Sequence, residues 1–256
     1  MLHGLLDSAQ GWEAFASSTA RPCIAFDLPG FGRSDRVAHP RISAYAADVR
    51  EVLDALGVES FHVVGHSLGG AIAAALADQL PARVLSVTLL APAGFGRIHL
   101  AEAISIPGIR NVAAAVLPLA LANPLVLTVA YTGVVTSRQV PEPEMLRRVM
   151  ASAFEAVPGA RDATQAVVAA GLSKRGFHRR RLAYKGPVRA VWGENDRLVP
   201  LSHAEGVRAA LPQAKVEYWP RMGHHPQRER PADLAELIER TCSEARTQRR
   251  NGTAAA

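Results

Sequence analysis

The chain has 256 residues, of which 48% are hydrophobic and 20% are charged, and its formal net charge is +6. This length and composition suit one large globular domain with a well-buried core, and they exclude a disordered or fibrous chain. Cys23 and Cys242 are far apart and have no metal-like spacing, which indicates no disulfide framework and a reducing compartment. Residues 1–11 lack the basic and apolar regions of a signal peptide, so we expect a cytoplasmic protein.

Short apolar runs rich in β-branched residues alternate with helical patterns along the chain. Five runs have the length and composition of buried strands, at residues 24–27, 61–65, 84–90, 188–192 and 216–219. The helical patterns lie at 42–56, 68–79, 203–211 and 232–246. The first of these has Ser43 near its start and Gly57 as its stop. This alternation predicts an α/β fold with a mostly parallel sheet and helices on both faces.

The alternation is interrupted by a long helical segment between two predicted strands. We predict an α/β core at 1–93 and 185–246, a helical cap inserted at 94–184, and a disordered tail at 247–256. Between Arg110 and Arg138 the cap is uncharged and apolar, which on hydropathy alone would suit a membrane-spanning helix. Pro118 and the Asn123-Pro124 pair interrupt the stretch, which favours short cap helices that line a pocket or touch a lipid surface.

Seven cations and no acid occur from Lys174 to Arg189. Nucleic-acid binding and a solvated connecting segment are both consistent with such a run. Aromatic residues that could stack on bases are sparse there, and no nucleic-acid motif accompanies the charge. We therefore expect no nucleic-acid partner.

The sequence Gly65-His66-Ser67-Leu68-Gly69-Gly70 follows a predicted strand and opens a predicted helix. In this context G-x-S-x-G indicates a nucleophile elbow, a strained turn that lifts the serine clear of the sheet at a helix N-terminus. Gly65 and Gly69 are required because larger side chains would collide in the turn. Ser67 is the predicted nucleophile, and His66 is interpreted as a packing residue of the elbow.

A serine hydroxyl needs a base, and the base needs an acid that fixes its tautomer. His224 and His225 both follow the last predicted strand, at the sheet edge where ligands bind in open α/β folds. Asp196 is preferred to Glu194 as the acid, and the chain order Ser, Asp, His then agrees with an elbow-bearing fold. Adjacent histidines without an H-E-x-x-H pattern predict no metal site, and we expect no cofactor.

The oxyanion hole would combine two backbone N–H groups. One belongs to Leu68, directly after the predicted nucleophile. The other is assigned to Leu5, because it directly follows the early His3-Gly4 pair.

These motifs together resemble the α/β-hydrolase superfamily, in particular its serine esterase-like and lipase-like members with a helical cap. His3-Gly4 is similar to the oxyanion motif, and residues 27–34 match the family's D-x-P-G-x-G-x-S loop. Residues 193–200 resemble its acid loop, and Gly223-His224 with residues 229–231 resembles its histidine loop. The resemblance covers most of the chain outside the cap, implies the α/β-hydrolase fold, and favours His224 over His225 as the base.

The resemblance departs at the N-terminus. In this family strands precede the His-Gly motif, and one of them runs inside the sheet into that motif, which here occupies residues 3 and 4. We therefore expect N-terminal strands to be missing, and an extension of about 20 to 30 residues to raise solubility and activity.

The sequence thus predicts a serine hydrolase that cleaves a carboxylic ester of a small to medium apolar substrate through an acyl-enzyme on Ser67. Alternatives are carbon–carbon bond hydrolysis of dienoates from aromatic degradation, cofactor-free acyltransferase or perhydrolase activity, and an inactive ligand-binding member of the fold. The same triad serves each enzymatic alternative. The expected partner is a small apolar molecule, with peripheral lipid contact through the cap but no spanning segment; the oligomeric state stays open.

Overall fold

The computed structural model describes residues 1–35, 40–135 and 176–253, with 143, 146–147, 150, 162 and 164–167 between them. Among these residues the strands are β1 (Phe61–His66), β2 (Val84–Leu90), β3 (Val188–Gly193) and β4 (Lys215–Trp219). They form one parallel sheet in the order β1-β2-β3-β4. The predicted α/β class is confirmed, and four of the five predicted strands lie within one residue of their expected ends.

The helices of the described segments match the predicted patterns to within one residue at 42–55, 68–79 and 203–210. They are α1 (Glu13–Ala16), α2 (Ile42–Ala55), α3 (Leu68–Gln79), α4 (His99–Ser105), α5 (Pro107–Ala122), α6 (Pro124–Ala130), α7 (His203–Ala210), α8 (Pro226–Glu229) and α9 (Pro231–Thr253). Gly57 follows α2 with a φ of 66°, a left-handed conformation that favours glycine and ends the helix as predicted. Ser43 lies inside the first turn of α2 and is not its N-cap, which is Arg41.

The predicted tail is wrong over residues 247–253. Helix α9 continues through Thr253, and the Thr247 hydroxyl donates to the Ser243 carbonyl at 3.1 Å. Residues 246–250 are mainly arginine and glutamine, which favour a helix. The polar composition of this segment was therefore not evidence of disorder. Residues 254–256 lie outside the described part of the chain.

Successive side chains of β1, β2 and β3 enter two separate hydrophobic cores, one on each face of the sheet. In β1, Val63 belongs to the core beneath α2 and α3, whereas Val64 belongs to the core beneath α1 and α9. The pairs Leu89/Leu90 and Ala190/Val191 divide in the same way. This alternation is expected for a sheet covered on both faces, and it leaves the carboxyl ends of the strands open for a site.

The predicted strand at 24–27 is wrong as a strand. Only Phe26 pairs there, through an isolated parallel bridge to Leu2, and Leu2 forms a second bridge to Gly65 of β1. The Leu2 N–H donates to the Val64 carbonyl at 2.9 Å, and the Phe26 N–H donates to the Met1 carbonyl at 3.2 Å. Residues 1 and 2 therefore lie between β1 and residue 26, in the position of a strand, but one bridge on each side does not make a ladder.

Three consecutive helices, α4, α5 and α6, follow β2 and contact one another. Their helical character agrees with the predicted cap, whose boundaries at 94 and 184 stay a prediction because most of 136–175 lies outside the described residues. Within the described part of the chain, no helix combines the length and apolarity needed to cross a bilayer.

The basic run from Lys174 to Arg189 is partly described. Arg180 pairs with Asp78 at 2.8 Å, and Arg189 pairs with Glu217 and Glu244 at 3.2 Å each. These two arginines form ion pairs with the α/β core, which agrees with the interpretation of the run as a connecting segment. Lys174 and Arg175 fall outside the described residues.

Candidate active site

Ser67 occupies the turn between β1 and α3 in a strained conformation, with φ 51° and ψ −112°. Few L-residues adopt a positive φ, and such strain is expected where a turn must present a side chain. A Cβ added to Gly65 would lie 2.8 Å from the Gly70 nitrogen, and one added to Gly69 would lie 2.6 Å from the His3 oxygen. A side chain at either position would therefore collide with neighbouring backbone.

The early loop carrying the His-Gly pair lies directly beside the elbow. The His66 N–H donates to the Leu2 carbonyl at 2.9 Å, and the Gly69 N–H donates to the His3 carbonyl at 3.1 Å. A Cβ on Gly4 would lie 3.2 Å from the Ser67 Cβ, so only a backbone passes this close to the serine. Leu5, the predicted oxyanion donor, follows in this loop, and its partner Leu68 is the first residue of α3.

His3 fixes the conformation of the early loop. Its Nδ1 donates to the Gly4 carbonyl at 2.7 Å, and its Nε2 accepts from the Leu28 N–H at 3.0 Å. Both bonds are satisfied only by the neutral ring, and burial lowers the pKa of His3. The loop is therefore tied to the segment after residue 26 by an uncharged, fully buried imidazole.

Asp27 organises the adjoining glycine-rich loop. Its carboxylate accepts from the Ala9 N–H at 2.8 Å and from the Arg33 N–H at 3.2 Å, and its carbonyl accepts from the Ser34 hydroxyl at 2.6 Å. Gly32 has a φ of 53°, and a Cβ there would collide with the Asp27 carboxylate. The D-x-P-G-x-G-x-S motif thus forms one hydrogen-bonded loop that supports the start of the chain.

Asp196 and His224 form the buried acid–imidazole pair of the site. The distance between Asp196 Oδ2 and His224 Nδ1 is 2.7 Å, and the two side chains are 0% and 4% exposed. Asp196 Oδ1 accepts from the Leu198 and Val199 N–H groups at 2.8 and 3.0 Å, which leaves Oδ2 for the imidazole. The rival acid Glu194 is solvent-exposed.

Backbone contacts hold the acid loop against the histidine loop. The Glu194 N–H donates to the Trp219 carbonyl at 3.0 Å, and the Asn195 N–H donates to the Met222 carbonyl at 2.9 Å. A Cβ on Gly193 would lie 2.5 Å from the Met222 carbonyl carbon, so glycine is required for this approach. Glu229 in turn accepts from the N–H groups of Gly223 and His225 at 2.9 and 3.1 Å.

Ser67 and His224 reach the same edge of the sheet, at the carboxyl ends of β1 and β4. The ring of His66, next to the serine, lies 4.7 Å from the His224 ring between centroids. Among the described residues, the Ser67 hydroxyl and the His224 ring form no hydrogen bond with each other. Proton transfer from Ser67 to His224 would therefore require a local side-chain adjustment.

His66 and His225 pack around His224 as a cluster of imidazoles. The His225 ring lies 4.7 Å from that of His66 and 5.5 Å from that of His224. His66 Nε2 donates to the His224 carbonyl at 2.8 Å. Burial, with the neighbouring imidazoles, lowers the pKa of His66 and of His225 well below the ordinary value of 6.5. Both rings are therefore neutral near pH 7 and support His224 by packing and hydrogen bonding.

A buried hydrogen-bond network, which the sequence did not predict, joins this cluster to the start of the chain. His225 Nδ1 lies 2.8 Å from the Tyr131 hydroxyl, which accepts from Arg228 at 2.9 Å. Arg228 also pairs with Asp7 at 2.5 Å. Burial opposes the charge of Arg228, but the contacts with Asp7 and Tyr131 together outweigh it, and the pKa of the guanidinium is raised. The motif signals did not include Asp7, Tyr131 or Arg228, because none lies in a spaced pattern.

Asp7, His66 and His225 are the one group among the described residues whose ligand atoms converge, within 4.8 Å of one another. One observation argues against a metal ion there. The Asp7 carboxylate already holds the Arg228 guanidinium, whose positive charge would repel a cation.

A family model described as the alpha/beta hydrolase fold matches residues 1–231. The chain therefore belongs to the alpha/beta hydrolase fold family, as its resemblance implied.

Two curated relatives illustrate the range of named activities within that similarity. The chain is 34% identical over 249 residues to a dihydrolipoyllysine-residue acetyltransferase component of the acetoin cleaving system from Cupriavidus necator, covering 93% of this chain and 62% of that relative. It is 29% identical over 251 residues to a 2-hydroxy-6-oxononadienedioate/2-hydroxy-6-oxononatrienedioate hydrolase from Comamonas testosteroni, covering 89% of this chain and 81% of that protein. This chain thus spans about three fifths of the first relative's length.

Among solved structures, a thermophilic esterase superposes with a TM-score of 0.72 at 21% identity, covering 95% of this chain and 88% of the esterase. At this identity the likeness shows the fold alone.

Proposed function

We propose that this protein is a serine hydrolase that cleaves carboxylic esters of small to medium apolar substrates through an acyl-enzyme on Ser67. The observation that carries the proposal is the buried 2.7 Å hydrogen bond between Asp196 and His224. It occurs at the sheet edge that presents a strained elbow serine. An acid-bound imidazole beside such a serine is the arrangement that activates a hydroxyl for acyl transfer.

The mechanism follows from the tautomer of His224. Because Nδ1 donates to the Asp196 carboxylate, Nε2 is free to take the proton of Ser67 as the oxygen attacks the ester carbonyl. The N–H groups of Leu68 and Leu5 then stabilise the tetrahedral oxyanion, each by about 3 kcal/mol. His224 returns the proton to the leaving alcohol and activates water to release the acid.

Apolar side chains on the cap support an apolar substrate. Val112 on α5 is 64% exposed, and Leu125 and Val129 on α6 are 72% and 64% exposed. Exposed aliphatic side chains on neighbouring helices suit contact with an acyl chain or a lipid surface. Sedimentation with phospholipid vesicles tests the lipid contact. The double variant Val112→Ser with Val129→Ser should bind the vesicles more weakly than the wild type. A wild type that stays in the supernatant would contradict the lipid contact.

A second candidate is hydrolysis of a carbon–carbon bond in a dienoate. It is favoured by similarity to the Comamonas testosteroni hydrolase, whose name specifies such a substrate. The same serine, acid and histidine would serve both reactions, so only a substrate comparison separates them. A transferase reaction, named for the relative from Cupriavidus necator, would appear as acyl transfer to an acceptor other than water.

Labelling with a fluorophosphonate probe tests whether Ser67 is a nucleophile. We expect the wild type to be labelled, Ser67→Ala to lose the label, and Ser18→Ala, at an exposed position just after α1, to keep it. A folded wild type without label would instead favour a ligand-binding protein. Rates on a series of p-nitrophenyl esters and on a 2-hydroxy-6-oxodienoate then separate the two hydrolytic reactions.

A further inference from the structure

The turn that follows α6 is contacted by several loops of the candidate site. We call this π-helical turn, Tyr131–Val135, the cap turn. Its Tyr131 hydroxyl meets His225 and Arg228 of the histidine loop, at 2.8 and 2.9 Å. Its Gly133 carbonyl accepts from Arg197, the residue after the acid Asp196, at 3.1 Å. The cap is therefore attached to both the acid and the histidine loop through one short turn.

Arg228 extends the attachment to the early loop. Its two terminal nitrogens have separate partners, since one donates to the Tyr131 hydroxyl and the other donates to Asp7 at 2.5 Å. Asp7 follows Leu5 by two residues and also accepts from the Ser8 N–H at 2.9 Å. All three side chains of this bridge are largely buried, so water competes little with its hydrogen bonds.

The direction of the hydrogen bonds follows from the chemistry of the groups. The guanidinium can only donate, so the Tyr131 oxygen accepts from Arg228 and its proton is available to His225 Nδ1. His225 is adjacent to His224 in sequence, and both rings pack against His66. A displacement of the Tyr131 hydroxyl is therefore passed to the backbone and ring of His224.

We propose that Tyr131 is a positioning residue, whose hydroxyl sets the histidine loop through His225 and the early loop through Arg228 and Asp7. The cap turn thereby holds the base and the oxyanion donor in register with Ser67. This inference rests on the proposed function for its kinetic consequences, but the contacts themselves make a prediction that does not require catalysis.

Tyr131→Phe removes the hydroxyl and little else, and Tyr184→Phe is its matched control. Tyr184 is also buried, and its hydroxyl lacks a hydrogen-bond partner among the described residues. With a p-nitrophenyl ester we expect kcat of Tyr131→Phe to fall about tenfold while KM stays within about twofold, as for the loss of one charge-assisted hydrogen bond. Tyr184→Phe should keep the wild-type kcat. An unchanged kcat in Tyr131→Phe would overturn the proposal.

A double variant tests the route through Arg228. If Asp7 and Tyr131 act through one guanidinium, the fall in kcat for Asp7→Asn with Tyr131→Phe should be smaller than the product of the two single falls. If the fall in kcat of the double variant equalled the product of the two single falls, the shared bridge through Arg228 would be contradicted. Tyr131 would then act only through His225.

Hydrogen exchange followed by mass spectrometry separates this inference from the proposed function. Tyr131→Phe should speed deuterium uptake in peptides that cover residues 2–8 and 221–230, and Tyr184→Phe should not. If the probe did not label the wild type, the proposed hydrolase activity would be wrong. Deuterium uptake would still decide whether Tyr131 is a positioning residue. Equal uptake in the wild type and Tyr131→Phe would refute it whatever the activity.

Discussion

Replacement of Gly69 by alanine places one methyl group between the elbow helix and the early loop. The added Cβ would lie 2.5 Å from the Leu2 carbonyl carbon and 2.6 Å from the His3 oxygen. Favourable separations between such atoms are about 3.5 Å, so the facing backbones must separate by about 1 Å. Both neighbours are backbone atoms, which cannot rotate away as a flexible side chain would.

The displaced segment leads into Gly4 and Leu5, beside Ser67. A misplacement of about 1 Å in a catalytic arrangement costs about 100-fold in rate, and forced packing of this kind costs about 1–3 kcal/mol of the free energy of unfolding. We therefore expect Gly69→Ala to fold, to unfold at lower denaturant concentration, and to lose about 100-fold in kcat on a p-nitrophenyl ester.

The assay combines steady-state ester hydrolysis, probe labelling and urea unfolding. Gly108→Ala is the control, because an added Cβ there meets no atom within 4 Å. It should keep the wild-type rate and be at least as stable, since alanine favours a helix more than glycine does. If Gly69→Ala retained the wild-type rate and stability while Gly108→Ala behaved as expected, the inferred contact between the early loop and the elbow would be refuted.

Three further outcomes follow from the site and the core. Asp196→Asn should lower kcat about 10,000-fold with little change in unfolding, because the amide no longer holds His224 in its productive tautomer; kinetics and circular dichroism check this, and a loss under about tenfold would argue against Asp196 as the acid. The free energy of unfolding should fall as the pH drops below about 6.5, because burial lowers the pKa of His66 and His225 and the unfolded chain then binds more protons; urea titrations at pH 7.5 and 5.5 measure it, and equal stability would contradict it. Leu76→Ala, at a fully buried core position, should cost about 2–5 kcal/mol in urea unfolding but leave kcat of the folded protein unchanged, and a cost near zero would contradict the assigned core.

Local signals in the sequence were sufficient for the architecture. Apolar runs and helix stops depend on neighbouring residues, so the strands at β1 to β4 and the stop at Gly57 could be predicted without coordinates. The elbow is also local, because Gly65, Ser67 and Gly69 lie within five residues and a Cβ on Gly65 would collide with the backbone of Gly69. The strand predicted at 24–27 failed because pairing depends on a partner elsewhere in the chain.

The candidate site was predictable only where it coincides with such local patterns. Asp196 and His224 follow strand ends, and parallel strands bring those ends to one edge, so their hydrogen bond could be anticipated; their catalytic roles stay predictions. His225 was weighed only as a rival base, and its contact with Tyr131 could not be foreseen.

The sequence by itself determined the alternation of strands and helices, the elbow, and which residue types lie at the strand ends. Only the tertiary structure decided that Asp7, Tyr131 and Arg228 meet. Along the chain, Tyr131 lies 97 residues before Arg228 and Asp7 lies 221 residues before it. A buried guanidinium is stable only where partners satisfy it, and no periodicity encodes which distant carboxylate and hydroxyl packing will bring to it.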